Sequence, residues 1–282
     1  MCTQKTGKVK EITSLSNPII KDLKALNQKK NRNRESVFMA EGLKLVIDAL
    51  NSGWTIQTLI FSKNGLGNVA IENTAARTVA SGGLVIKTSQ KIMESITRRD
   101  NPQTVVGVFK QQWHPIETIK ELTENIYIAL DRVRDPGNLG TIIRTADAVG
   151  AKGVILIGET TDPFSPETVR ATMGSIFSVP LYRLDENAFL NWSTHFKGII
   201  VGTHLKSSVD YRTIDFKSSS IILLMGNEQQ GLPDVLANRC DQLVRIPQSG
   251  RADSLNLAVA TAIMLYEIRR SHLTLEPCEA KK

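Results

Sequence analysis

No stretch of this chain approaches about 18 consecutive apolar residues, so no transmembrane helix is expected. The N-terminus is basic but no apolar segment follows it, which excludes a secretory signal. Cysteine is scarce: Cys2, Cys240 and Cys278 are scattered and form no CxxC, which fits a reducing compartment better than a disulfide scaffold. His114, His195, His204 and His272 lie far apart, and no pair has the spacing of metal ligands, so no metal site is expected. Internal repeats and low-complexity tracts are also missing.

What is present is globular. Hydrophobic residues make up 41% and charged residues 22% of the 282 residues, enough for a real core and for two domains of ordinary size. The net charge of +7 is unevenly spread. Residues 1–110 carry 17 Lys/Arg against 8 Asp/Glu, a net +9, and residues 111–282 carry the remaining 18 against 20, a net −2. A module that meets a polyanion, joined to a near-neutral module with another task, is the expected organisation.

In the basic part, Asn17 or Ser16 can cap a helix with Pro18 at its first position, and Ile19, Ile20, Leu23 and Leu26 follow at helical spacing. "NQKKNRNRE" then reads as a loop bearing Lys29, Lys30, Arg32 and Arg34. It is either a solvated basic loop or, given the surrounding charge, a contact to an RNA backbone. A strand at Val37–Ala40, a helix over Leu43–Leu50, the strands "IQTLIFS", "GLVIK" and "TVVGVF", and a helix from Asn68 to Ala80 make an alternating α/β module. "GLGNVA" (Gly65, Gly67, Ala70) has the form of a dinucleotide fingerprint, but the acidic residue expected about 20 positions on is missing. It reads better as a glycine turn, which removes the case for a nucleotide-dependent oxidoreductase.

The domains are expected at 1–110, with a linker over 111–124, and at 125–282. From Asn125 strands and helices alternate through "IYIAL", "GVILIG", "FSVPLY", "GIIVG", "SIILLM" and "QLVRIP", which implies a parallel sheet with helices on both faces. Three loops stand out. "DPGNLGTIIRTADAVGA" joins a strand to a helix. It is neither a Walker loop nor a Rossmann fingerprint. Gly137 is expected to make the turn and Asn138 to cap the helix. Leu139, Ile142, Ile143, Ala146 and Val149 form its apolar face, with Arg144 roughly opposite, where a plain surface arginine pairing with Asp147 is one reading. "LLMGNEQQGLPDVL" turns between Gly226 and Gly231 at the end of a buried strand, with Glu228 its charged residue. "VRIPQSGRADSLNLAVATAIMLYEIRR" ends a strand at Ile246-Pro247, with Ser254 as the cap of the last helix and Asn256 in its first turn.

Together these loops closely resemble the SpoU (TrmH-like) branch of the SPOUT RNA methyltransferases. Its asparagine with an arginine six residues on is matched by Asn138 and Arg144. Its G-x-E-x-x-G turn is matched by Gly226, Glu228 and Gly231. Its I-P…S-L-N run is matched by Ile246, Pro247, Ser254, Leu255 and Asn256. "NPIIKDLKAL" and "FMAEGLKLV" resemble the RNA-substrate-binding domain that precedes many such enzymes, which adds Glu41 to Lys29, Lys30, Arg32 and Arg34 on the RNA side. Gln248 and Ala258 depart from the commoner pattern and are expected to adjust packing only. The likeness runs from about Ile12 to Arg270, leaving little room for a cleavable presequence, and a cytoplasmic protein is expected.

The resemblance implies an α/β fold: a SPOUT-type parallel sheet with a deep C-terminal trefoil knot, preceded by a smaller α/β RNA-binding domain. It implies S-adenosyl-L-methionine as cofactor, contacted by Met225, Gly226, Gly231, Ile246, Pro247 and Leu255. It implies a homodimer, and Arg144 as the central catalytic residue, with Asn138, Glu228, Ser254 and Asn256 positioning it and the ribose. The expected activity is methyl transfer to a ribose 2′-hydroxyl of structured RNA, ribosomal RNA of the 23S type before tRNA. A non-catalytic RNA-binding protein of the same fold is the alternative.

Overall fold

A computed structural model describes residues 7–205, 207, 209–216 and 219–275. Cys2 and Cys278 lie outside the described residues. The described residues divide into two units: one takes those up to Gln112 together with Asp162–Ser178, the other takes Trp113–Thr161 and those from Val179 on.

The first unit begins with β1 (Lys8–Glu11), α1 (Pro18–Ala25), α2 (Lys29–Glu35), β2 (Val37–Glu41), α3 (Leu43–Asn51) and β3 (Ile56–Ser62). It continues with α4 (Val69–Ala80), β4 (Leu84–Thr88), α5 (Gln90–Thr97) and β5 (Val105–Lys110). Its five strands pair in the order β1-β4-β3-β5-β2, parallel through β1, β4 and β3, antiparallel where β5 meets β3 and β2. Asn17 is the cap of α1: its Oδ1 accepts the Ile19 N–H at 3.0 Å. Asn68 caps α4, and Gly67 before it sits at φ +80°, so "GLGNVA" is a turn into a helix. Two elements escaped the sequence reading. β1 is a run of four exposed residues, three of them charged, with Val9 its only apolar one. α5 does carry Ile92, Met93 and Ile96 at helical spacing, and these bury against α1 and the sheet.

"NQKKNRNRE" is a helix and not the expected loop. Gln28 starts α2 and Ser36, at φ 53°, ends it. The reason is Arg32, which is 3% exposed and turned into the core of this unit. Its Nε and Nη2 donate to Asp162 Oδ2 at 2.9 and 2.5 Å, and its Nη1 donates to the Leu26 carbonyl at 2.8 Å.

The second unit carries Ile116 in its core and β6 (Ile126–Asp131), α6 (Pro136–Ala148) and β7 (Gly153–Ile157). The chain then supplies the segment 162–178, with α7 (Pro166–Ala171), to the first unit. There Trp54 Nε1 donates to the Phe177 carbonyl at 2.9 Å and Phe38 packs between Phe164 and Phe177. No such excursion is part of the organisation expected at 1–110, 111–124 and 125–282.

The second unit resumes with β8 (Leu181–Leu184), α8 (Glu186–Ser193), β9 (Ile199–Thr203), β10 (Ile221–Met225), α9 (Asp234–Ala237), β11 (Gln242–Val244) and α10 (Leu257–Ile268). All strand pairs are parallel, in the order β11-β9-β10-β6-β7-β8. The central strands β6, β7 and β10 are buried on both faces, which is why they read as unbroken apolar runs. β6 lies between β10 and β7, so the chain winds away from it in both directions. The crevice beyond the carboxyl ends of β6 and β10 is therefore a topological switch point, where open parallel sheets take their ligands.

Cys240 is partly buried and packs against the core of this unit. Its thiol donates to the Leu236 carbonyl at 3.3 Å, and burial pushes its pKa up to about 12. The folded thiol therefore keeps its proton where an unfolded one would ionise, and this contribution to stability is lost as pH rises above about 9. In native protein at pH 8, iodoacetamide should leave Cys240 unmodified in peptide maps until denaturant is added; rapid native labelling would refute this.

Candidate active site

α6 opens the site, one turn earlier than expected. Asp135, not Asn138, is its cap: Asp135 Oδ1 accepts the Asn138 N–H at 2.6 Å, and Pro136 takes the first helical position. A carboxylate at this end also suits the helix dipole. Gly137 lies inside the helix instead of forming the turn. Asn138 is thereby relieved of capping, and its carboxamide is free for tertiary contacts. Leu139, Ile142, Ile143 and Ala146 are fully buried, which orients the helix.

The last helix is also shifted. It starts at Leu257, and its cap is Asn256, whose Oδ1 accepts the Ala258 and Val259 N–H groups at 2.9 and 3.2 Å. Ser254 is exposed and caps nothing. β11 likewise ends at Val244, short of Ile246-Pro247.

These two shifts bring three loops together. Asn256 Nδ2 donates to Asn138 Oδ1 at 2.9 Å. Asn138 Nδ2 donates to Glu228 Oε1 at 3.3 Å. The Glu228 carboxylate also accepts the main-chain N–H groups of Arg134 and Asp135 at 3.2–3.3 Å. The bonds run in one direction, from amide to amide to carboxylate. They line an open cleft of about 710 Å³ with Arg132, Arg134, Asp135, Asn227, Gln229 and Gln230.

The turn that carries Glu228 is closed on itself. Asn227 and Gly231 exchange both main-chain hydrogen bonds at 3.0 and 2.9 Å, and Gly231 sits at φ +69°. A side chain at Gly226 would meet the Gly231 and Leu232 backbone at 2.2 Å, so glycine there lets the turn close on its own backbone. Met225 is buried, and its Sδ accepts the Thr203 hydroxyl at 3.5 Å across β9 and β10.

Among the residues expected to act, Asn138, Glu228 and Asn256 meet in the cleft. Arg144 and Ser254 do not line it. Arg144 is exposed on α6 and forms no ion pair with Asp147 or any other described residue. Ile246, Pro247 and Leu255 sit in a loop, 246–255, that makes no hydrogen bond to any described residue. Its main-chain N–H and C=O groups are left for solvent or a ligand. Asp135, Asn227, Arg132 and Arg134 were missed, although a D-P pair at a strand end is a recognisable helix start.

On the RNA side, Lys29, Lys30 and Arg34 are exposed on α2, with Arg34 paired to Glu35 at 2.7 Å. Arg32 is withdrawn from that surface by its buried ion pair. Glu41 is mostly covered and takes Arg99 and Arg170 at 3.3 and 3.6 Å, so it orders two arginines and offers little to a phosphate.

The SpoU rRNA Methylase family model matches residues 125–266, and the MRM3-like substrate binding domain matches residues 17–107. The chain belongs to the SpoU rRNA methylase family. It is 32% identical to the 23S rRNA (guanosine(2553)-2′-O)-methyltransferase of Bacillus subtilis, covering 93% of this chain and 100% of that protein. It is 30% identical to the 23S rRNA (uridine(2479)-2′-O)-methyltransferase of Streptomyces viridochromogenes, over 96% of each. Its fold matches the AdoMet-bound rRNA methyltransferase of Sinorhizobium meliloti with a TM-score of 0.90 and 59% identity, covering 95% of this chain and 100% of that one.

Proposed function

We propose that this SpoU methylase transfers the methyl group of S-adenosylmethionine to a ribose 2′-hydroxyl of 23S-type ribosomal RNA. The observation that carries the reading is the Asn256–Asn138–Glu228 chain, which draws all three family motifs into one polar cleft at the switch point of a parallel sheet. The residues present fit the cofactor. Gly226 keeps the turn after β10 tight, and the loop 246–255 offers unpartnered main-chain groups to which Ile246, Pro247 and Leu255 contribute. When bound, the cofactor supplies a methyl already activated by its sulfonium charge.

The protein's task is then to align the ribose oxygen and to ease loss of its proton. Glu228 accepts three N–H groups, so it acts as the anchor of the α6 start and of Asn138, not as the proton acceptor. Asn138 and Asn256 hold the ribose side of the cleft. Arg144 meets the RNA or the developing alkoxide from outside the single chain's cleft.

A homodimer provides the missing half. α10 is apolar nearly all round, and such a helix is normally covered on both sides. One face packs on α6 and β10. The other presents Val259 and Tyr266, 49% and 54% exposed, beside the half-buried Ala262 and Ile263. A second copy seated there would bring an Arg144 to its neighbour's cleft. The first unit would hold the RNA through Lys29, Lys30 and Arg34, in the cytoplasm. No described helix is long and apolar enough to cross a membrane.

Purified protein given labelled S-adenosylmethionine and ribosomal RNA should transfer label to one site that reads as a 2′-O-methyl stop. Label on base nitrogen or carbon, or none on any RNA tested, would overturn the assignment.

A further inference from the structure

Asn227, beside Glu228, is 8% exposed and has every polar atom committed. Its Nδ2 donates to the Arg132 carbonyl at 2.7 Å. Its Oδ1 accepts the Gln229 and Gln230 N–H groups at 2.9 and 3.2 Å, and its main chain pairs with Gly231. The carbonyl it grips belongs to a strained residue. Arg132 sits at φ 46°, a region that side-chain-bearing residues avoid. The strain is held from the other end, because the Arg132 guanidinium donates to both carboxylate oxygens of the buried Asp131 at 2.8–3.1 Å.

The turn therefore meets the β6–α6 loop at two places. The contacts from Glu228 are long, 3.2–3.3 Å, and the contact from Asn227 is short. The short bond is the one that sets the spacing between the two loops. We propose that Asn227 is a positioning residue for methyl transfer: by holding the Arg132 carbonyl it places Glu228, and through it Asn138 and Asn256, around the ribose. This rests on the 2′-O-methyltransferase reading.

Asn227→Asp tests the donor. It keeps the size and the Oδ1 acceptor, but sets a carboxylate oxygen against the Arg132 carbonyl. Once protonated, the same group can donate again. The charged groups facing it are Glu228 on its own turn, Arg132, Arg134 and Asp135 on the β6–α6 loop, and Asp131 at the end of β6. Burial and the neighbouring acids favour the protonated form as pH falls.

At pH 8 the kcat of Asn227→Asp should fall on the order of 100-fold, the cost of a displacement of about 1 Å in a reacting geometry, with the KM for RNA little changed. The ratio of variant to wild-type kcat should then rise as the pH is lowered towards 6. Asn227→Ala should lose kcat at every pH, and hydrogen exchange at the Gln229 and Gln230 amides should speed up in it. A pH-independent ratio, or losses that merely follow the melting temperature, would overturn the proposal while leaving the enzyme's function standing. A wild type that methylates no RNA removes the function and this inference together.

Discussion

Replacing Arg144 with alanine should lower kcat for methyl transfer by roughly 100- to 1,000-fold, the scale seen when a donor to a developing oxyanion is removed. Affinity for S-adenosylmethionine should not change, because Arg144 lies outside the cleft and outside the turn at Gly226. Stability should not change either: the side chain is exposed and makes no hydrogen bond or ion pair with a described residue. Arg144→Lys should restore little, since an ammonium lacks the planar fork that grips a phosphate or alkoxide by two bonds. A sharper result comes from mixing two inactive proteins. If Arg144 serves the neighbouring copy, hybrids of Arg144→Ala and Glu228→Ala subunits contain one intact composite site. Activity should then reappear after joint refolding of the two variants. Full activity of Arg144→Ala alone would dismiss the catalytic role. Mixtures that stay inactive, while each variant still dimerises by light scattering, would dismiss the shared site.

The second large effect concerns folding. Arg32→Ala should destabilise the first unit by about 3–5 kcal/mol, because it strands the Asp162 carboxylate in a buried site. Asp162 is 8% exposed, and besides Arg32 it accepts only the Phe164 N–H with its other oxygen. Asp162→Ala should cost a similar amount, from the opposite charge left behind. The double replacement Arg32→Met with Asp162→Leu should recover much of the loss, because a buried pair exchanged for apolar groups is often neutral. Denaturant unfolding of the four proteins measures this coupling. Below the melting transition, the salt dependence of RNA binding should keep its wild-type slope in Arg32→Ala. In Lys30→Ala the slope should fall by about one, the signature of a lost phosphate contact. A fall in Arg32→Ala would return this arginine to the RNA surface.

Much of this molecule is local chemistry and can be read along the chain. The central strands of the second unit, β6, β7 and β10, are apolar runs of strand length. Pro18, Pro136 and Pro166 start helices because a missing N–H costs nothing there. Each motif loop alone could be an ordinary turn or cap, and the three stand out only together, through their resemblance to the SpoU motifs. Capping was read less well, since Asp135, Asn138, Ser254 and Asn256 are all good caps and only the geometry of each first turn chooses between them.

The sequence by itself determined most of the elements, the two-module charge split and the family motifs, because backbone preference and apolar periodicity act within a few residues; β1, α2 and α5 are the exceptions. Tertiary structure alone decided which polar groups meet. Arg32 finds its partner 130 residues away, and the same residue type two positions on, Arg34, stays in water. Asn138 reaches into the cleft only because Asp135 has taken the helix end. Asn227 is held because a strained carbonyl from another loop arrives at 2.7 Å. Buried polar groups must be satisfied wherever the fold brings a partner, and which partner that is depends on distances that no short stretch of sequence contains.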